Sequence, residues 1–178
     1  MEIWDAYFKD GSLAGIDLIR GEKIPDGLYH LVCDVLVRHV DGDYLLMRRD
    51  LAKPIYPGYW EATAGGSALK GEDALACAKR ELLEETGISS GSFEEMNRFV
   101  FDDDRCIFYT FLCTTDCEKD SITLQEGETI DYKWLSENDF ISFVNSGEII
   151  EFQKNRYSNF FVEKGYITAE EKWRQKEK

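Results

Sequence analysis

The sequence predicts a layered α/β domain, and three features carry that prediction. Short segments rich in β-branched and aromatic residues recur along the chain, with turn signals between them. An amphipathic helical stretch near residues 72–86 interrupts them. Past residue 135 the apolar spacing turns helical. Strands mixed with hairpins and flanked by helices bury their apolar faces by layering.

Residues 30–38, His-Leu-Val-Cys-Asp-Val-Leu-Val-Arg, read as a strand. Asp41-Gly42-Asp43 supplies a turn, and residues 44–49 return as the second strand of a hairpin. A loop carrying Pro54, Pro57 and Gly58 spans residues 50–58, and residues 60–64 form a short strand before Gly65-Gly66. The helix over about 72–86 follows Gly71, starts acidic and ends at Gly87, where a left-handed cap belongs. Leu75, Ala78 and Leu82 give it a face to bury. Residues 99–102, 106–113 and 129–135 are further strands. Ser136-Glu137-Asn138-Asp139 caps a helix containing Phe140, Ile141, Phe143 and Val144, and a second helix is expected over 149–164. The helical C-terminal part thus covers about 136–165, and the charged residues 169–178 read as a frayed end. No linker divides the chain, so one domain over residues 1–178 is expected.

The formal net charge of −14 disfavours nucleic acid and anionic lipid as partners. No apolar run approaches a membrane span. The start, Met1-Glu2-Ile3-Trp4-Asp5, lacks the basic and apolar regions of a signal peptide, and a cytoplasmic location is the default expectation. The five cysteines show no CxxC spacing and read as small buried side chains, not a disulfide framework or a zinc site.

The chemistry concentrates in residues 66–88. Glu81, Glu84 and Glu85 stand three and four residues apart, so a helix turning about 100° per residue puts them on one face. Such like charges repel. Either the face is simply solvated, or a cation sits among the carboxylates. A divalent cation there would neutralise the glutamates, face a diphosphate and acidify water to make a nucleophile. Arg80 suits a bidentate grip on a carboxylate, and Glu72 suits a supporting place.

This stretch resembles the Nudix box, G-x5-E-x7-R-E-U-x-E-E-x-G-U with U aliphatic, at Gly66, Glu72, Arg80, Glu81, Leu82, Glu84, Glu85, Gly87 and Ile88. The resemblance implies an α/β/α sandwich with a mixed sheet. It implies Mg²⁺ or Mn²⁺ at Glu81, Glu84 and Glu85, and hydrolysis of a nucleoside diphosphate linked to another group. A further carboxylate often comes from a later loop in that family; Glu128 is the first candidate and Glu126 the second. Glu84 and Glu85 both remain open as general base. Many proteins of the family are dimers, and a homodimer stays open here.

The likeness reaches further, over roughly residues 28 to 135. Tyr29-His30-Leu31-Val32, Arg48-Arg49-Asp50-Leu51-Ala52-Lys53 and Pro57-Gly58-Tyr59-Trp60 resemble isopentenyl-diphosphate isomerase, which shares the fold. There the positions matching Arg49 and Lys53 contact the diphosphate. His30 matches a metal ligand, but its partner position falls near Lys23. The catalytic cysteine falls at Gly65, a metal-binding histidine at Ser67 and the catalytic glutamate near Asp104. The isomerase box is degenerate, whereas this one keeps every glutamate. The pattern therefore points to a hydrolase of the isomerase-like branch, with an isomerase and a non-catalytic diphosphate-binding domain as the alternatives.

Overall fold

The computed structural model describes residues 1–172, so residues 173–178 of the expected charged end lie outside the described residues. Nine strands and four helices follow in chain order among them: β1 (Ile3–Tyr7), β2 (Leu13–Ile19), β3 (His30–His39), β4 (Tyr44–Arg49), β5 (Trp60–Ala62), β6 (Ala64–Ser67), α1 (Ala74–Thr86), β7 (Ser92–Phe101), β8 (Cys106–Thr115), β9 (Thr129–Leu135), α2 (Glu137–Asn145), α3 (Glu151–Arg156) and α4 (Ser158–Glu163). The main sheet runs β5-β4-β3-β8-β7, with β6 added to β3 and β9 added to β4. It is mixed: β3 pairs β8 in parallel, from His30 opposite Cys106 to His39 opposite Thr115, and the other pairs are antiparallel.

Alternation along the strands builds the layers. Leu31, Cys33, Val35 and Val37 of β3, with Leu45 and Met47 of β4, share a core with Cys77, Ala78 and Leu82 of α1. Leu36, Tyr44 and Leu46 point the other way, into a core with Phe140, Phe143, Phe160 and Phe161 of the C-terminal helices. The result is an α/β/α sandwich. Each fully buried leucine or phenylalanine contributes about 2 kcal/mol. The β1–β2 hairpin packs a smaller core of Trp4, Ala6, Leu18 and Leu28 and meets the sheet at the Tyr7–Tyr29 bridge.

Several expectations shift. The box helix begins at Ala74, with Asp73 as N-cap accepting from the Ala76 N–H, so Glu72 precedes it. Leu75 is exposed and Cys77 takes its place in the core. The Ala64–Ser67 strand contains the glycine pair expected to follow a strand, because it pairs with Val32–Val35 of β3. The edge strand Ser92–Phe101 begins seven residues before its expected start; its polar, half-exposed first half hides it in the sequence. The helix expected over 149–164 is two short ones that break at Tyr157, where φ is −91° and ψ 3°. Four of the five cysteines are buried and all are free.

Candidate active site

The helix α1 ends at Gly87, whose φ of 77° only glycine adopts freely, and its N–H reaches the Leu83 carbonyl at 2.9 Å. Its acidic face borders a cavity of about 780 Å³ that also takes in the Gly65-Gly66 backbone, Lys53 and Glu128. Glu81 packs closely on Gly66: a Cβ there would stand 2.2 Å from Glu81 Oε1, so any side chain at this position displaces that carboxylate. The three box glutamates do not share one environment. Glu84 has a side chain 46% exposed, Glu81 only 14%, and Glu85 is buried.

Arg80 organises most of this face. Its Nε and Nη2 donate to the two oxygens of Glu72 at 2.7 and 2.9 Å, a bidentate grip. Its Nη1 donates to Glu81 at 2.8 Å and to Glu84 at 3.1 Å, and Nη2 also reaches the Ser67 carbonyl at 3.0 Å. Glu72 accepts the Leu69 N–H at 2.8 Å, which ties the turn before the helix to the same network. Burial raises the Glu81 carboxyl above its ordinary value, although Arg80 pulls it down.

Glu85 stands apart. Among the described residues no lysine or arginine pairs with it; it accepts one N–H, from Gly65, at 3.3 Å. Burial, then the charge of Glu61, pushes its carboxyl up to about 8. A charged carboxylate taken out of water without a counter-ion is costly, and protonation relieves that cost.

The structure brings some sequence-predicted residues together and separates others. Lys53 lines the glutamate cavity and pairs with Glu128. The meeting is made by β4 and β9: Arg49 lies opposite Thr129, and the Asp50 N–H reaches the Glu128 carbonyl at 2.9 Å. Glu126 does not line the cavity, whereas Gln125 and Glu128 do. Arg49 lines a neighbouring cavity and pairs with Glu61 at 2.8 Å. His30 packs under Trp4, ring centroids 4.4 Å apart, with Nδ1 3.2 Å from the Arg105 carbonyl, and burial lowers its proton affinity.

Three residues escaped the sequence reading. Glu61, its side chain 12% exposed, sits between Arg49 and Gln153, and desolvation raises its carboxyl. A glutamate inside the short apolar run Trp60-Glu61-Ala62 was the available signal. Arg20 and Lys70 line the glutamate cavity and carry no local sequence signal, because the hairpin and the turn before α1 deliver them from a distance.

Residues 28–157 match the family model for the NUDIX domain. The chain belongs to the Nudix hydrolase family. A Nudix hydrolase of Listeria monocytogenes is 33% identical over 152 residues, which is 85% of this chain and 90% of that protein. The crystal structure of DR0079 from Deinococcus radiodurans shares the fold at a TM-score of 0.67 and 17% identity, covering 88% of this chain and 99% of that one. A bifunctional NMN adenylyltransferase/ADP ribose pyrophosphatase of Francisella tularensis, complexed with AMP and a manganese ion, superposes at a TM-score of 0.56 and 21% identity, covering 76% of this chain and 42% of that one.

The Nudix box here is a set of oxygen donors held by cations of the protein itself. Among the described residues no three acidic, imidazole or thiol groups form a ready-made cation cage. Arg80 and Lys53 hold Glu72, Glu81, Glu84 and Glu128 instead. The donor set nonetheless suits a hard divalent ion: it is all oxygen, it is anionic, and it includes one buried carboxylate without a counter-ion. No helix among the described residues is long and apolar enough to cross a membrane.

Proposed function

We propose that this Nudix hydrolase cleaves the diphosphate linkage of a nucleoside diphosphate derivative or a related organic diphosphate, with Mg²⁺ or Mn²⁺ held by Glu81, Glu84, Glu85 and Glu128. The observation that carries the reading is Glu85: a buried carboxylate, without an ion-pair partner among the described residues, in a cavity it shares with Glu2, Glu81, Glu84, Glu128 and Lys53. The manganese ion and AMP in the Francisella relative support the same class of chemistry.

Divalent metal in this place supplies positive charge and polarises phosphoryl oxygens. The protein's own groups supply the rest. Lys53 faces the carboxylates and grips a phosphate once Glu128 is drawn away from it. Arg20 and Lys70 also line the cavity, but each is paired with a carboxylate, Arg20 with Glu2 at 2.7 Å and Lys70 with Asp17 at 2.6 Å, so Lys53 and the metal carry the attraction for an incoming polyanion. Glu85 or Glu84 takes the proton of the attacking water as it adds to one phosphorus, and the other phosphate leaves. Arg80 is a positioning residue: it holds Glu72, Glu81 and Glu84 at set distances. Arg49 braces Glu61 and the loop over residues 50–58 beside that site.

The stretches shared with isopentenyl-diphosphate isomerase support a place in the isomerase-like branch of Nudix hydrolases. Gly65 and Ser67, standing where an isomerase needs cysteine and histidine, favour hydrolysis over alkene isomerisation. The test is a panel of nucleotide and isoprenoid diphosphates with Mg²⁺ and with Mn²⁺, scored for phosphate-bearing products. Metal-dependent cleavage of at least one member is expected. Glu85→Gln is expected to lose at least about a thousandfold in turnover with its circular dichroism unchanged. Near-normal turnover in that variant removes Glu85 from the mechanism, and conversion of isopentenyl to dimethylallyl diphosphate overturns the hydrolytic reading.

A further inference from the structure

The cavity lined by Arg49 also takes in Phe99, Phe108, Phe152 and Arg156, and this aromatic cavity lies on the face of the sheet toward α3. Another cavity, of about 500 Å³, lies on the opposite face, under α1. It shares no lining residue with the aromatic cavity or with the glutamate cavity. Ile107, Tyr109 and Phe111, alternate residues of β8, form its floor with Leu31 of β3. Residues 73–75 at the start of α1 make one wall, and Phe93 and Glu95 of β7 make another. Tyr7 and Gly11 close it from the β1–β2 hairpin. Lys9 ties the turn of that hairpin to Asp102 at 2.8 Å, and Tyr7 exchanges two backbone bonds of 2.9 Å with Tyr29.

This space is not ordinary core. Leu75 belongs by its spacing to the apolar face of α1, with Ala78 and Leu82, yet it is 38% exposed. The opening lies where its packing partner would stand. Strand β7 carries a bulge at the same place. Glu95 pairs Phe111, the register then slips by one residue, and Arg98 pairs Tyr109. Without that slip Arg98 would point to the other face of the sheet; with it Glu95 and Arg98 share one face. Arg98 lies over the Tyr109 ring at 5.6 Å and packs on the hairpin turn, since a Cβ at Gly11 would stand 2.4 Å from its Nη2. That guanidinium is therefore part of the wall. The carboxylates are differently placed. Asp73 accepts the Ala76 N–H at 2.8 Å, and neither Asp73 nor Glu95 has an ion-pair partner among the described residues.

We infer that this cavity is a second ligand site, and that it takes a small organic amine whose apolar body lies on Leu31, Ile107 and Phe111 and whose protonated nitrogen meets Asp73 and Glu95. The volume falls in the range of about 300–1,000 Å³ usual for small-molecule sites. Closure by the hairpin favours a free small molecule over a segment of another chain. Aromatic rings attract cations at their faces, and Lys79 over Phe93 at 5.8 Å and Arg98 over Tyr109 already use that attraction from outside the lining. Two carboxylates without ion pairs set the same sign at the mouth, and an anion would meet both. The site touches the box helix only at its start, where Asp73 caps α1 and the Tyr7 hydroxyl donates to the Glu72 carbonyl at 3.4 Å. It uses none of the box glutamates, so it stands or falls apart from the hydrolytic reading.

The test is a titration of the metal-free protein at neutral pH, followed by amide chemical shifts in nuclear magnetic resonance spectra. Three probes of similar size differ in charge: phenethylamine, phenethyl alcohol and hydrocinnamate. The amine is expected to shift Leu31, Leu75, Ile107 and Tyr109. It should bind about fivefold more tightly than the alcohol, the scale of one or two partly exposed ion pairs. Hydrocinnamate should bind more weakly than the alcohol. Glu95→Gln and Asp73→Asn should each weaken the amine by about threefold and leave the alcohol unmoved; asparagine keeps the helix cap. Leu75→Trp, which fills the opening from the helix side, should weaken amine and alcohol alike. No shift at these four residues with any probe, shifts confined to the glutamates of the box, hydrocinnamate binding as tightly as the amine, or unchanged amine affinity in both charge variants overturns the inference. Failure of the diphosphate panel refutes the hydrolytic reading and leaves this site standing.

Discussion

The glutamate cavity and the aromatic cavity both take residues from the segment 49–56, yet they are built by different means. The first is centred on a continuous stretch, residues 66–88, joined by Lys53 and Glu128 from outside it, and is held by charge: one arginine spans three carboxylates. The second gathers rings and guanidinia from residue 49 to residue 156 and is held by stacking. Electrostatic networks in a poorly hydrated site fail sharply when one member is removed, because the remaining charges lose their counter-ion. Stacked rings at a half-exposed mouth degrade gradually. The lesson is that stability and metal affinity should track the first region, not the second.

The largest expected effect tests that contrast directly. Arg80→Ala leaves the Glu72 and Glu81 side chains, 19% and 14% exposed, without their guanidinium. A loss of about 3 kcal/mol or more is expected, roughly 6–12 °C in Tm, together with about a hundredfold in turnover. Lysine at position 80 should recover little, since it lacks the bidentate fork. A melting curve superposed on wild type would show that the network carries no stability.

A pH series sharpens the same side of the comparison. The Glu85 carboxyl has its folded value raised from 4.5 to about 8. Between those values the folded protein binds more protons than the unfolded chain, so this group lowers metal-free stability as pH rises, and the loss is complete above about 8. Glu85→Gln should therefore stabilise the chelator-treated protein at pH 9 by on the order of 2–4 kcal/mol and leave it unchanged at pH 4. Equal melting temperatures at pH 9 would mean that Glu85 is already compensated.

The smallest effect concerns the two loop acids. Glu128→Gln should weaken Mn²⁺ binding by about tenfold in a paramagnetic titration, and Glu126→Gln should not change it. The reverse order would move the loop ligand to Glu126. Phe152→Leu, which belongs to the other cavity, should leave both the metal titration and the Tm close to wild type.

Much of the fold was legible because apolar spacing reports on layers. The β3–β4 hairpin, the box helix and Thr129–Leu135 lie where their patterns put them. Ser92–Phe101 was legible only in its last residues, since an edge strand needs few apolar side chains in its outer half. The break at Tyr157 has no glycine or proline to announce it. In the candidate site, Arg80 and the glutamates were readable from spacing, whereas Glu61 reads as a stray strand acid until Arg49 and Gln153 are seen to enclose it.

By itself the sequence determined the family, the acidic helix face and the arginine that serves it, because those groups interact within one or two turns of a helix and local spacing sets their geometry. Only the tertiary structure decided that Glu85 is buried and uncompensated while Glu84 faces water, that Lys53 meets Glu128, and that Arg49 turns away toward a cavity of rings. Those outcomes depend on desolvation and on contacts between residues tens of positions apart, which strand pairing and layer packing set and local pattern does not encode.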